Sequence, residues 1–233
     1  MGFSRLFLVV SVLFVTALIT ANIIAVKLFQ VAIIALPWGG SVSVILPVGV
    51  LIFPLSYILN DVLTEVYGYR TARLVIWVGF LCNGVAVLFI WLGGLIPPAP
   101  GWEGQEAYQR ILGYTPRLVG ASFAGYIVGE LSNALVLSRL KVATRGRWLW
   151  LRTITSTLVG EGLDSLVFIT IAFAGTVGNA LLAQIVVAQW LAKSLYEALA
   201  TPLTYLVVGY LKRREGLDTY DYDLTLHPLR VLR

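Results

Sequence analysis

Cysteine and histidine are nearly absent from this 233-residue chain, and each absence excludes a class of chemistry. Cys82 is the only cysteine, so no intrachain disulfide and no thiolate metal cluster can form. The only histidine, His227, lies near the C-terminal end of the sequence. Zinc sites of the HExxH type, haem held by two histidines and Ser–His or Cys–His nucleophile pairs within a membrane are therefore excluded.

Two nucleotide-binding signatures are missing as well. The sequence contains neither a Walker-type phosphate loop nor a dinucleotide-binding glycine fingerprint. We therefore expect no cofactor and no enzymatic activity. The net charge of +5 does not indicate nucleic-acid binding, because the distribution of basic residues described below explains it better.

Apolar residues dominate the composition. They make up 58% of the chain against 12% charged residues, and the mean hydropathy is +0.85. Apolar runs of about 20 residues are long enough to cross a bilayer as helices. Six occur, so the sequence predicts an all-α integral membrane protein with a six-helix domain over residues 1–215 and a cytoplasmic tail over 216–233. The predicted spans cover about 6–29, 44–63, 74–96, 118–137, 153–174 and 180–211.

Basic residues predict the orientation of these spans. If six helices alternate in direction, thirteen basic residues fall on one side of the membrane, against only Arg110 and Arg117 on the other. Positive loops face the cytoplasm, so both termini are expected there. The first apolar run is too long for a signal peptide and no clear cleavage site ends it, so we expect a retained helix. The helix number also permits an inverted three-plus-three repeat, although no internal sequence match supports one.

Two acidic residues lie near the middle of the fifth predicted span. Glu161 and Asp164 are three residues apart, which places both on one face of a helix. A charge at the bilayer centre costs roughly 2.5–3.5 kcal/mol on insertion scales, so such residues usually face a cavity. This span is therefore predicted to form one wall of a polar binding site inside the membrane.

Neighbouring spans carry matching polar faces. Lys193 and Glu197 are four residues apart and could pair within their helix. The alternative reading is that these polar residues only join helices by hydrogen bonds. The candidate substrate-binding residues are Asn22, Tyr126, Glu130, Asn133, Glu161, Asp164, Gln189, Lys193, Tyr196 and Glu197.

The second predicted span has two further features. Pro54 is expected to bend its helix and expose backbone. Asn60, Asp61 and Glu65 lie near its cytoplasmic end, where an inner gate or coupling site competes with a plain solvated helix end. In the first span, small residues at every fourth position allow close packing, inside the protein or against a partner, at Ala17, Ala21 and Ala25.

Three stretches resemble the signature blocks of a known family. They read Phe-Pro-Leu-Ser-Tyr-Ile-Leu-Asn-Asp-Val-Leu-Thr-Glu-Val-Tyr-Gly-Tyr (53–69), Gly-Arg-Trp-Leu-Trp-Leu-Arg-Thr-Ile-Thr-Ser-Thr-Leu-Val-Gly-Glu-Gly-Leu-Asp-Ser (146–165) and Glu-Ala-Leu-Ala-Thr-Pro-Leu-Thr-Tyr (197–205). They are similar to those of the YhhQ-type queuosine precursor transporters, in the vitamin uptake transporter group. Glu161 departs from this pattern, in which many relatives have glutamine.

The resemblance implies a multi-pass protein of the bacterial inner membrane that imports 7-deazaguanine bases. The expected substrates are the 7-cyano and 7-aminomethyl precursors, and queuine is a further candidate. A carboxylate can accept the ring N–H and exocyclic NH2 of such a base as a bidentate pair. Tyr126, Trp190 or Tyr196 could stack on its face. The expected partners are the nucleobase and the lipid bilayer; a homodimer stays open. The preferred reading requires no ATPase subunit, while the alternative is a substrate-capture subunit that docks on an ATP-driven module.

Overall fold

Helices make up most of the computed structural model, which describes residues 4–35, 41–143 and 149–216. The mostly helical fold predicted from composition is thereby confirmed. The elements in chain order are α1 (Arg5–Ile24), β1 (Leu28–Ala35), β2 (Ser41–Pro47), a 3₁₀ turn (Val48–Ile52), α2 (Phe53–Tyr67), α3 (Tyr69–Leu95), α4 (Gln105–Ile111), a second 3₁₀ turn (Leu112–Tyr114), α5 (Thr115–Ala143), α6 (Leu149–Phe173) and α7 (Asn179–Glu215).

Three of these helices contain stretches that are long and apolar enough to cross a bilayer. The stretches are Arg5–Ile24, Arg70–Leu95 and Ile154–Phe173, in α1, α3 and α6. Large apolar side chains cover much of the outer surface of the helices. Exposing them to water is unfavourable, whereas contact with lipid is not. Exposed examples are Leu8, Leu81, Phe89, Trp91, Leu191, Leu199 and Leu206. The surface is that of a protein surrounded by hydrocarbon.

A β-hairpin replaces helix in part of the first two predicted spans, so the all-α prediction was wrong there. β1 and β2 pair antiparallel from Leu28 opposite Pro47 to Ala35 opposite Ser41, with an irregularity between Gln30 and Ala32. Both strands are rich in β-branched residues, which suit a pleated surface. Hydropathy reports only that a run is apolar and cannot distinguish a short buried strand from a helix. Lys27, expected within the first helix, lies between α1 and β1.

The second predicted span is therefore a composite of strand, turn and helix. α2 has 15 residues, which at 1.5 Å per residue gives about 22 Å, short of the roughly 30 Å hydrocarbon core. Pro54 lies in its first turn, where the missing N–H leaves no hydrogen bond unmade, so the expected bend is absent there. Non-helical backbone at membrane depth requires burial in protein or a polar cavity.

Each of the other four predicted spans overlaps one long helix. The 74–96, 118–137, 153–174 and 180–211 predictions correspond to α3, α5, α6 and α7, with differences of a few residues at most ends. Pro202 lies inside α7, which continues as helix through it to Glu215. The predicted tail lies outside the described residues, apart from the glycine that ends α7.

Two apolar clusters lie at opposite ends of the bundle. One joins α1, α2, α3 and α7 through residues such as Phe7, Leu63 and Ile76. The other joins the C-terminal end of α1 and the hairpin to α5, α6 and α7, with Leu118 and Ile169 fully buried. The stretches between these clusters carry most of the polar residues singled out in the sequence.

Glycines bring α5 and α6 into close contact. A Cβ added at Gly129 would lie 2.8 Å from the Asp164 Cβ and 3.0 Å from the Gly160 carbonyl oxygen. At Gly125 an added Cβ would lie 2.7 Å from Asp164 Oδ1. Small residues spaced by four are the usual means by which membrane helices approach closely. Asp164 is thus held against the backbone of α5.

We predict that Gly129→Ala destabilises the protein by about 1–3 kcal/mol, the usual cost of overpacking a filled interface. The matched control is Gly120→Ala on the same helix, where an added Cβ meets nothing within 4 Å. Alanine is the better helix former, so the control should be neutral or slightly stabilising. Thermal unfolding in detergent measures both variants, and equal melting temperatures would contradict the packing described.

Candidate functional site

The acidic face of α6 meets Lys193 of α7. Lys193 Nζ lies 3.2 Å from Glu161 Oε2 and forms a second ion pair with Asp164 Oδ2. The lysine side chain is 9% exposed, and the two acids 19% and 17%. Isolated charges at this depth would be costly, so one ammonium group neutralises part of the charge of two carboxylates. Within the described residues Lys193 pairs with these acids rather than with Glu197, its predicted partner.

The contacts of Lys193 with Glu161 and Asp164 form a polar seam between α6 and α7, and two more contacts extend it. One turn away on α7, Glu197 Oε1 accepts a hydrogen bond of 3.2 Å from Thr157 Oγ1 on α6. Lys193 Nζ also lies 4.8 Å from the centroid of the Phe53 ring, at the start of α2. A cation over an aromatic face is attracted by the ring quadrupole. The lysine therefore links α7 to α6 and α2 at once.

A cavity of about 270 Å³ lies beside the seam. Its size is just below the range of about 300–1,000 Å³ usual for small-molecule pockets, which suits a compact solute. All helices except α4 contribute to its walls, together with Pro47 and the first 3₁₀ turn. The polar and charged residues of the lining are Asn22, Ser56, Asn60, Asp61, Ser122, Tyr126, Asn133, Thr157, Glu161, Asp164, Gln189, Lys193 and Glu197.

Aromatic side chains form the flat part of the lining. Phe80 on α3 and Tyr126 on α5 contact each other with tilted rings, and their ring centroids lie 5.4 Å apart. Phe14, Phe53 and Phe168 also line the cavity. Sequence reasoning missed these four phenylalanines, because an apolar ring in an apolar span carries no signal of its own. Flat apolar walls beside hydrogen-bonding groups favour a planar, polar-edged ligand.

An amide pair lies on the α1 side of the cavity. Asn22 Nδ2 donates to Asn83 Oδ1 at 3.2 Å and to the Leu18 carbonyl oxygen at 3.0 Å. Asn83 is 1% exposed and donates in turn to the Gly79 carbonyl oxygen. Asn83 was not predicted, although it is the only amide residue in the long apolar run of α3, which was the signal available.

Some polar atoms of the lining residues have no hydrogen-bond partner within the described part of the chain. They are Asn60 Oδ1, Asn133 Oδ1 and both amide atoms of Gln189. Buried polar atoms are nearly always paired, so each unpaired one calls for an explanation.

The structure separates the candidate residues into three groups. Eight of the ten candidate binding residues line the cavity, and so do Asn60 and Asp61, which were expected near an inner gate. Tyr196 is not among the lining residues, and Trp190 is used elsewhere, since its indole N–H donates to the Leu158 carbonyl oxygen at 2.9 Å. The side chains of Glu65 and Glu130 lie outside the described residues.

A metal centre does not account for the acids. Among the described residues, no group of three or more His, Cys, Asp or Glu side chains is placed to hold a metal ion. The arrangement instead offers carboxylates, an ammonium group, amides and aromatic faces around one small cavity. It can bind a flat solute that carries several N–H donors.

Three similar proteins carry related names. A "Probable queuosine precursor transporter" of Bacillus subtilis (strain 168) is 30% identical over 148 residues, 63% of this chain and 64% of that protein. A protein of the same name in Haemophilus influenzae is 28% identical over 125 residues, 54% of this chain and 51% of that protein. The "Queuosine precursor transporter" of Escherichia coli (strain K12) is 29% identical over 125 residues, 54% of each chain.

These matches cover less than two thirds of the length of each relative, and no solved structure matches the chain. A family model described as "Putative vitamin uptake transporter" matches residues 47–207, well over half of the chain. The matched range includes every described cavity residue except those of α1. The resemblance seen in the sequence is confirmed at this level: the chain belongs to the vitamin uptake transporter family.

Proposed function

We propose that this protein is a secondary transporter of the bacterial inner membrane that imports queuosine precursors. The substrates would be 7-deazaguanine bases with a cyano or aminomethyl group at position 7, and queuine is a further candidate. The observation that carries the proposal is the cavity in which Glu161, Asp164 and Lys193 meet beside aromatic walls. The names of three relatives in the same transporter family support the choice of substrate.

The chemistry of the cavity matches the edges of such a base. A guanine-type ring presents a ring N–H and an exocyclic NH2 side by side, and one carboxylate accepts both in a bidentate pair. Asp164 or Glu161 would fill this role. The ring carbonyl is an acceptor and would bind the Lys193 ammonium. The planar ring would stack against Tyr126 and Phe80, whose rings already contact each other.

Binding would exchange one set of partners for another. In the empty cavity Lys193 neutralises part of the charge of Glu161 and Asp164. When the N–H donors of a base reach a carboxylate, they replace the ammonium group as its partner, and the lysine turns to the carbonyl of the base. The buried charged groups keep hydrogen-bond partners in both states, which lowers the cost of moving between them.

We expect Asp164→Asn to lower uptake of labelled 7-aminomethyl-7-deazaguanine roughly 10- to 100-fold, because a hydrogen bond to a charged group is lost. Glu161→Gln should have a smaller effect, because the family pattern that the sequence resembles has glutamine at this position. Uptake into proteoliposomes measures the effect. Glu106→Gln is the matched control, since Glu106 is an exposed acid of α4 far from the cavity lining. If both cavity variants kept at least half of the wild-type rate, while remaining folded, the carboxylates would have no role in binding.

The arrangement we propose has six membrane segments with both termini in the cytoplasm. α1, the hairpin with α2, and α3 would form one half of an inverted repeat, and α5, α6 and α7 the other half. Two features support this: the basic residues cluster on one side of that arrangement, and the cavity is lined by both halves, where inverted-repeat transporters bind their solutes.

Reporter fusions test the orientation. Green fluorescent protein fused after residue 233 should fluoresce, and alkaline phosphatase fused at the same point should be inactive, because the first folds only in the cytoplasm and the second only outside it. The same reporters inserted in the loop 97–104 should show the reverse pattern. The same reporter result at both fusion points would contradict the predicted topology.

The alternative, a capture subunit for an ATP-driven module, relied on the alanine ladder of α1 as a docking face. That ladder has a packing role inside this chain. Ala17 and Ala25 are buried, and a Cβ added at Gly49 would lie 2.7 Å from the Ala21 carbonyl oxygen and 3.1 Å from the Ala25 Cβ. α1 therefore uses these alanines to approach the first 3₁₀ turn, and this favours a transporter that works alone.

We predict that the purified protein, as the sole protein in liposomes, accumulates or equilibrates labelled 7-deazaguanine bases without ATP. Unlabelled 7-deazaguanine bases should compete, and adenine should not, because adenine lacks the pair of adjacent N–H donors. Empty liposomes give the background rate. Uptake that required a copurifying ATPase would contradict the proposal and favour the capture subunit.

A further inference from the structure

Gln189 is a fully buried polar side chain of the cavity lining that has no hydrogen-bond partner among the described residues. It lies on α7 one turn before Lys193, it is 1% exposed, and it belongs to the lining. Its Nε2 and Oε1 atoms both lack a hydrogen-bond partner. An amide carries two N–H donors and one acceptor oxygen, so both kinds of hydrogen-bonding group are left unused.

Other polar groups around the same cavity are paired within the protein. Asn22 bonds to Asn83, Glu197 to Thr157, and Lys193 to its two acids. Asn60 and Asn133 also leave a buried carbonyl oxygen without a partner among the described residues. A buried amide with both ends unpaired weakens the folded state, and such a cost persists where a ligand offsets it.

We propose that Gln189 reads one particular edge of the base: the five-membered-ring N–H together with the neighbouring pyrimidine nitrogen, N9–H and N3. This inference rests on the proposed function. In that binding mode a carboxylate takes the ring N–H and the exocyclic NH2, and the ring carbonyl goes to Lys193. The remaining polar edge of a 7-deazaguanine offers one donor and one acceptor side by side, and an amide matches both.

The position of Gln189 fits this assignment. Residues four apart on a helix have Cβ atoms about 5–6 Å from each other, so Gln189 lies beside Lys193 along the same wall. Lys193 is paired with both acids, so the carboxylate that would take the NH2 edge lies close to the same part of α7. The N3/N9 edge is the neighbour of that NH2 edge. Gln189 would donate from Nε2 to N3 and accept at Oε1 from N9–H.

The consequence is selectivity for free bases. In a nucleoside N9 carries the sugar, so it has no hydrogen to donate and a bulky group lies where the amide would be. Gln189 is thus a specificity-determining residue that excludes ribosylated 7-deazaguanines, while the carboxylates recognise the guanine-type edge that base and nucleoside share.

The hydrogen bond between Gln189 and N3 is tested by changing the ligand and the protein, separately and together. The ligands are 7-aminomethyl-7-deazaguanine and its 3-deaza analogue, in which a C–H group replaces N3 without a change of shape. The proteins are the wild type and Gln189→Met, which preserves length and removes both hydrogen-bonding groups. Affinities are measured by calorimetry in detergent. The 3-deaza analogue should bind the wild type roughly tenfold more weakly than the parent base.

In Gln189→Met the parent base should bind roughly tenfold more weakly than in the wild type, and the two ligands should bind equally. Gln184→Met, the same change at an exposed position of α7, should reproduce the wild-type values. A 9-methyl derivative of the base should bind the wild type at least tenfold more weakly than the parent. A 3-deaza penalty that persisted in Gln189→Met would overturn the assignment.

The proposed function and this inference fail in different ways. Loss of binding in Asp164→Asn, together with an unchanged 3-deaza penalty in Gln189→Met, would remove only the role of Gln189. No binding of the parent base to the folded wild type would remove both. If Gln189→Met does not fold, Gln189→Leu also removes both hydrogen-bonding groups, and the 3-deaza penalty should vanish there too; its persistence would equally overturn the assignment.

Discussion

The ion pairs of Lys193 with Glu161 and Asp164 are the constraint on which the site depends. Three charged groups in a region surrounded by apolar side chains are stable only when they compensate one another. This requirement fixes the rotation of α6 and α7 about their axes, because their charged faces must meet. The contact of the ammonium group with Phe53 then brings the start of α2 to the same point. The cavity lies beside the contact between Lys193 and Phe53, and its lining contains more carboxylates than ammonium groups.

Packing on both sides preserves that arrangement. The glycine face of α5 holds Asp164 from behind, since a side chain at Gly129 would occupy the space of the Asp164 Cβ. Apolar clusters lie at the two ends of the bundle, and the polar residues of the cavity lie between them. The hairpin belongs to the end formed with α5, α6 and α7, and it contributes Pro47 to the cavity wall.

Much of the site could be predicted because intramembrane charges are rare and carry a clear cost. Glu161, Asp164 and Lys193 stand out in apolar runs for that reason, and all three line the cavity. The partner of Lys193 was predicted wrongly, because helical spacing indicates which residues can meet within one helix and not which helix lies opposite. Asn60 and Asp61 were assigned to a separate region because their depth was counted along a continuous helix, whereas the span is broken and starts as a strand.

The sequence by itself determined the membrane setting, the helical faces and the presence of an acidic interior, since hydropathy and periodicity are local properties. It also carried the family resemblance. Only the tertiary structure decided which polar residues share one cavity, that Tyr196 and Trp190 lie outside its lining, and that Gln189 keeps an unused amide inside it. The physical reason is that hydrogen-bond partners and helix contacts join residues far apart in the chain, and no local pattern records which of them remain unpaired.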